Sequence, residues 1–222
     1  MSWINQSIQH PTGVNVFGSA VIRTDPDRAV AEIGATRLAP KASTAFEETR
    51  KAVASVSQSL SRGGIPSDAV EISRVTLRSA FNGFGDNAKF IGYQAEVSFR
   101  IVIEALDTVE PVLSAAVEAG ANRVTSVKYL TSRLRELRAD ARQQAVRAAR
   151  TKAEVYCEAA GARLGNVIHI EDVNPDSMAM RGGHGESVNL SAQDDAAESG
   201  ALQSGSLVVS AAVVVGYSLL HE

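Results

Sequence analysis

Residues 134–165 read LRELRADARQQAVRAARTKAEVYCEAAGARLG. Leu134, Leu137, Ala141, Ala145, Ala148, Val155, Tyr156 and Ala159 recur at three- and four-residue spacing. That spacing makes one apolar stripe on an α-helix. Arginines and carboxylates fill most of the remaining positions. Alanine is the best helix former, and long polar side chains lose little rotamer freedom in a helix. Gly161 is the first breaker, and Gly165 offers a second stop. The segment predicts a helix of about 28 residues, roughly 42 Å long at 1.5 Å per residue. That exceeds the usual helix of a compact domain.

Upstream of this helix the pattern alternates between strand and helix. Arg123 to Leu130 reads as a strand, and Leu106 to Ala119 as a shorter helix stopped by Gly120. Phe90 to Ile103 is the clearest strand: Ile91, Tyr93, Ala95, Val97, Phe99, Ile101 and Ile103 alternate with Gln94, Glu96, Ser98 and Arg100. One wet face and one buried face is the antiparallel signature. Asn82 to Asn87 reads as a loop, and Val70 to Leu77 as one strand. Ser43 to Arg62 predicts a helix with Phe46, Val53, Val56 and Leu60 buried, capped at Ser43 or Thr44 with a carboxylate three residues on. Pro40 precedes it and Gly63-Gly64-Ile65-Pro66 ends it. Gly13 to Thr24 and Ala29 to Leu38 read as two strands. The short polar turn Asp25-Pro26-Asp27 between them predicts an antiparallel hairpin.

Downstream, Val167 to Val173 reads as a strand. Residues 174–206 are rich in Asn, Asp, Ser, Gly, Gln and Ala and predict a flexible insertion. Leu207 to Leu219 is nearly continuous apolar sequence, so it must be covered on both faces, by its own domain or by a neighbouring subunit. Residues 1–12 are polar and read as an N-terminal arm. The tally is an α+β fold: a mostly antiparallel sheet with helices packed on one face, including one long Ala/Arg-rich helix. The organisation expected is an arm, 1–12, and one domain, 13–222, carrying the insertion at 174–206.

The bulk properties narrow the function classes. The chain has 222 residues, 45% of them hydrophobic, and a net charge of -3. A nucleic-acid-binding domain usually shows a basic footprint, which this balance lacks. A single cysteine, Cys157, excludes an internal disulfide framework. No run of about 18 apolar residues occurs, so no membrane insertion is expected. The start, MSWINQSIQHPTGVNV, lacks a basic and an apolar region, which leads to a cytoplasmic expectation.

Several stretches together resemble the SIMPL-domain family, the group that includes periplasmic immunogenic and oxidative-stress-defence proteins and a mammalian kinase-associated signalling protein. They are Gly13-Val14-Asn15-Val16-Phe17-Gly18 leading through Asp25 and Asp27-Arg28-Ala29, and Leu60-Ser61-Arg62-Gly63-Gly64-Ile65 before Val70-Glu71-Ile72. Ile91-Gly92-Tyr93-Gln94-Ala95 and Ala119-Gly120-Ala121-Asn122 follow. The strongest is Ala141 to Gly165. Their order and spacing carry the likeness over about residues 13–219. The resemblance implies a SIMPL-like fold, a large homo-oligomer and a stress-related role. The family has no agreed catalytic residues, so it implies no enzyme.

The residues offer little chemistry. Arg133, Arg135, Arg138, Arg142, Arg147 and Arg150 make the long helix basic in its first half. Salt bridges to Glu136, Asp140 and Glu154 account for them better than an anion site. His10, His169, His184 and His221 are scattered, whereas metal ligands cluster. Met178, Met180 and His184 fit a soft metal only weakly. His169, between Ile168 and Ile170 in a strand, is expected to reach Glu171 or Asp172 only across strands. Cys157 reads as a buried, inert thiol. Asn82-Gly83-Phe84-Gly85-Asp86 lacks the Lys-Ser/Thr of a phosphate loop. No catalytic, cofactor-binding or metal residue is therefore assigned. The reading is a non-enzymatic, self-assembling SIMPL-domain protein whose partner is itself. The alternative is an adaptor that binds another protein through the arm or through 174–206.

Overall fold

The computed structural model describes residues 12–83, 87–173 and 205–220. They form two compact units that divide at Thr24/Asp25 and Thr131/Ser132. The expected arm, but for Thr12, and the expected insertion, but for Gly205 and Ser206, lie outside the described residues.

The first unit holds strands β1 (Val14–Thr24), β7 (Arg163–Val173) and β8 (Leu207–Leu220) and helix α3 (Leu134–Ala159). The strands run in the order β1-β8-β7, both pairs antiparallel. Helix α3 has 26 residues. It buries Leu137, Ala141, Ala145, Ala149, Ala153 and Cys157, a row with strict four-residue spacing. The expected stripe is right at Leu137, Ala141 and Ala145 and wrong further on. Val155 and Tyr156 are 57% and 54% exposed. The cause is close approach. A Cβ on Gly18 of β1 would lie 2.1 Å from the Ala145 carbonyl oxygen and 2.8 Å from the Ala149 Cβ. Only small side chains fit where helix and sheet meet at that distance, so the alanine row faces inward and the bulky residues turn out.

Strand β8 is central. Val209, Ala211, Val213, Val215 and Tyr217 are buried on the face that packs with α3. On its other face Ala212 and Gly216 are buried, while Val208, Ser210 and Val214 are half-buried.

The second unit holds β2 (Arg28–Ala39), α1 (Ala42–Arg62), β3 (Val70–Ile72), β4 (Thr76–Asn82), β5 (Lys89–Ile103), α2 (Val109–Glu118) and β6 (Arg123–Leu130). The sheet order is β3-β5-β2-β6, with β4 also on β5, all antiparallel. Ile33, Val97, Phe99, Ile101 and Ile103 of the sheet meet Val56 and Leu60 of α1 and Val112 and Ala116 of α2. Burying each large side chain stabilises the fold by roughly 1.5–3 kcal/mol.

Three expectations fail here for identifiable reasons. β1 and β2 do not form a hairpin. β8 takes β1 along its whole length, and both edges of β2 are occupied by β5 and β6. The Asp25-Pro26-Asp27 turn instead carries the chain from one unit to the other. The strand expected over 70–77 is two strands. Between them Ser73 accepts the Ser98 N–H on its hydroxyl (2.9 Å) and donates its own N–H to the Ser98 carbonyl (2.9 Å), which admits one extra residue before β4. Helix α1 starts before Ser43: the Ala45 N–H already bonds the Lys41 carbonyl, Lys41 is the cap, and no side chain caps the end.

All three helices end alike. The N–H of Ile65, Ala121 or Ala162 returns to the carbonyl five residues back, and the preceding Gly64, Gly120 or Gly161 has positive φ. This motif satisfies the last carbonyls of a helix and favours glycine at the left-handed position.

Asn122 completes the β2 edge beyond β6. Its Oδ1 accepts from the Thr36 N–H (2.9 Å), and its Nδ2 donates to the Thr36 carbonyl (3.0 Å). The side chain thus imitates a strand residue. Asn122→Ala is expected to cost about 1–2 kcal/mol, since two side-chain hydrogen bonds to the Thr36 backbone are lost. Urea unfolding checks this, and an unchanged midpoint would contradict it.

Candidate functional site

The second unit exposes several large apolar side chains on its strands. Strands β4 and β5 run out as a hairpin past the start of α1. Phe81 lies opposite Phe90 in the ladder. Their rings meet edge to face at 5.7 Å, and Phe90 meets Tyr93 the same way at 5.3 Å. Phe81 and Phe90 are still 57% and 52% exposed, and Leu77 is 45% exposed on the same face. Beside this surface a groove of about 430 Å³ opens between α1 and the β3–β4 link. Phe46, Val53, Ile72 and Val75 line it, with Arg50 as its cation. Phe46 was expected in the core. It lies in this groove instead because Ala45, Thr49 and Ala52 form the face of α1 that meets the sheet.

Sequence reasoning missed the hairpin. The Asn82-Gly83 pair is not the two-residue turn such a pair usually marks, since Asn82 still belongs to β4 and pairs with Lys89. Reading 70–77 as one strand left the residues after it in a loop.

Three of the six arginines between 133 and 150 meet a carboxylate. Arg133 bonds Glu136 at 2.9 Å and Arg150 bonds Glu154 at 2.9 Å. Arg142 reaches Asp172 of β7 at 3.4 Å. The Arg133 hydrogen bond, and then its charge, hold the Glu136 carboxyl below the usual carboxylate range. Burial pushes the Tyr217 phenol up, partly offset by Arg150. Such exposed pairs are worth little stability.

His169 and Glu171 share a face of β7, with Nε2 and Oε2 3.9 Å apart. The expectation that they meet only across strands is corrected, because residues two apart in a strand point the same way. Among the described residues no three His, Cys, Asp or Glu side chains are placed to hold a metal. His10, Met178, Met180, His184 and His221 lie outside the described residues, as do Phe84, Gly85 and Asp86 of the 82–86 loop. Cys157 is free and buried in the row of α3 that faces the sheet. Its thiol is expected to react with a disulfide reagent only on unfolding. Rapid colour development in the native protein would contradict that placement.

These features define a class: an antiparallel α+β protein that, among the described residues, carries half-exposed apolar side chains on its strands. The chain belongs to the SIMPL family, described as a protein of unknown function (DUF541), which matches residues 14–217. Those limits have a structural meaning, since Val14 and Tyr217 are paired across β1 and β8. Among its relatives is the 26 kDa periplasmic immunogenic protein of Brucella melitensis, 25% identical over 79% of this chain and 72% of the relative. The protein of the same name in Brucella abortus matches to the same extent. Uncharacterized protein YggE of Edwardsiella ictaluri is 26% identical over 77% of this chain and 74% of its own length. The Brucella names contradict the cytoplasmic expectation and point to the periplasm. No described helix is long and apolar enough to cross a membrane.

Proposed function

We propose that this chain is a non-enzymatic, self-assembling SIMPL protein of the periplasm that works as a homo-oligomer. The observation that carries this reading is the half-exposed apolar surface built on strands, foremost Leu77, Phe81 and Phe90 on the β4–β5 hairpin. Contiguous apolar surface of this kind marks interaction sites. Relatives named as periplasmic support the compartment. The stress-related role implied by the resemblance belongs to the same reading. Growth of a deletion strain under peroxide tests that part, and wild-type growth would count against it.

Sedimentation velocity over a concentration series tests the assembly. The expected result is a boundary that moves well ahead of a 23.4 kDa particle. A single 23.4 kDa boundary at every concentration would overturn the proposal. Replacing Phe81 and Phe90 together by serine is expected to lower the sedimentation coefficient if the hairpin contributes an interface.

A further inference from the structure

Strand β7 is an edge whose outer side pairs with nothing among the described residues. It is long for an edge and carries apolar side chains in the open: Val167, Ile168 and Ile170 are 49%, 52% and 54% exposed. Such an edge is a template for another strand, which proteins usually blunt with charges or bulges; β7 carries two bulges, and their positions matter here.

The sequence of β7 is self-complementary about Val167. Its register against β8 shows which side chains share a face. Leu164, Val167 and Ile170 pair with Leu219, Tyr217 and Val215, so they lie on the α3 face. Arg163 and Glu171 pair with Leu220 and Val214, so they lie on the opposite face. When β7 runs antiparallel to a second β7 across a two-fold axis at Val167, Val167 meets its own copy. Leu164 then meets Ile170, and Arg163 meets Glu171, at both ends. Every one of these pairs joins residues from the same face, as a continuous sheet requires.

The two irregularities of β7 fit the same axis. The register shifts between Leu164 and Val167, and again between Val167 and His169. A Cβ on Gly165 would meet Ser218, so Gly165 lies opposite Ser218 and Asn166 is the first extra residue. Ile168 is the second. They flank Val167 symmetrically and fall opposite each other in the two-fold register. The ion pairs are available too. Arg163 makes no ion pair among the described residues, and Glu171 has only the loose 3.9 Å approach of His169.

We infer that β7 is the site where a second copy of this chain adds its own β7, antiparallel and centred on Val167, making a six-stranded sheet across a two-fold axis. The inference rests on the proposed self-assembly and names one interface of it. A contact of this type is isologous, and strand addition draws its affinity from main-chain bonds and its register from side chains.

The test is oxidative cross-linking of Val167→Cys, with wild type as the control for Cys157. The expected result is a disulfide-linked species of roughly twice 23.4 kDa in the variant alone, since directly opposed residues are the closest cross-strand pairs. In parallel, Arg163→Glu is expected to raise the dissociation constant roughly tenfold, as both end pairs become repulsive. Adding Glu171→Arg to it is expected to restore wild-type assembly. Arg163 is exposed, so the fold itself is not at stake. If wild type assembles while Val167→Cys forms no cross-link and Arg163→Glu changes nothing, the β7 interface is overturned and self-assembly stands. If wild type is a monomer throughout, both fall.

Discussion

Gly18→Val is expected to cost about 3 kcal/mol or more, at the upper end for overpacking in a filled interior. Gly18 sits in β1 directly under α3. A Cβ there would lie 2.1 Å from the Ala145 carbonyl oxygen, 2.6 Å from the Ala149 nitrogen and 2.8 Å from the Ala149 Cβ. Two of these three are helix backbone, which cannot swing aside as a side chain can. The helix would have to lift from β1, and that would loosen the row from Leu137 to Cys157 along its length. A few kcal/mol is a large share of the roughly 5–15 kcal/mol that holds a domain folded. Urea unfolding followed by helical circular dichroism should show a much earlier transition, or a variant that does not fold. Ser19→Ala, one residue on and exposed, should stay within about 0.5 kcal/mol of wild type. Equal midpoints for Gly18→Val and wild type would mean that α3 does not rest on β1 at this distance.

Phe99→Ala should be comparably severe. Phe99 is fully buried and heads the largest such side chains of the chain. It lies on β5 opposite Ile33 of β2 on one side and Ile72 of β3 on the other. Truncating a buried phenylalanine costs about 3–5 kcal/mol, through lost transfer energy and the cavity left behind. Phe90 lies on the same strand but is 52% exposed. Phe90→Ala should therefore cost about 1 kcal/mol or less. Chemical denaturation of the two variants side by side checks this. The idea fails if Phe90→Ala proves the more damaging.

The regular elements were legible because periodicity reports burial. Alternation along Phe90–Ile103 marked seven residues as core: Ala95, Val97, Phe99, Ile101 and Ile103 are buried, but Tyr93 is half-buried and Ile91 is 47% exposed, beyond the end of β2. Arg123–Leu130 matches β6 at both ends. Pairing partners were less legible. A short polar turn favours a hairpin locally, but β1 finds its ladder with β8, almost two hundred residues away in the sequence. Nothing within Asp25-Pro26-Asp27 encodes that competition. The face of α3 was legible only in part. Val155 and Tyr156 look more hydrophobic than Ala149 and Ala153, yet the sheet comes too close for large side chains, and the glycine that signals this lies in another element. The candidate interfaces escaped for a related reason. Leu77 and Phe81 keep the two-residue alternation of core residues, whereas Phe90, Val167 and Ile170 share faces with their neighbours only through bulges that the sequence does not mark. A single sequence does not tell apolar surface awaiting a partner from apolar surface already covered.

Native mass spectrometry of the wild-type chain reads its self-assembly without any substitution. The expected result is a discrete particle whose mass is an even multiple of 23.4 kDa, because two-fold pairing at β7 builds the assembly from dimers. A particle of 23.4 kDa, persisting at micromolar concentration, would contradict it.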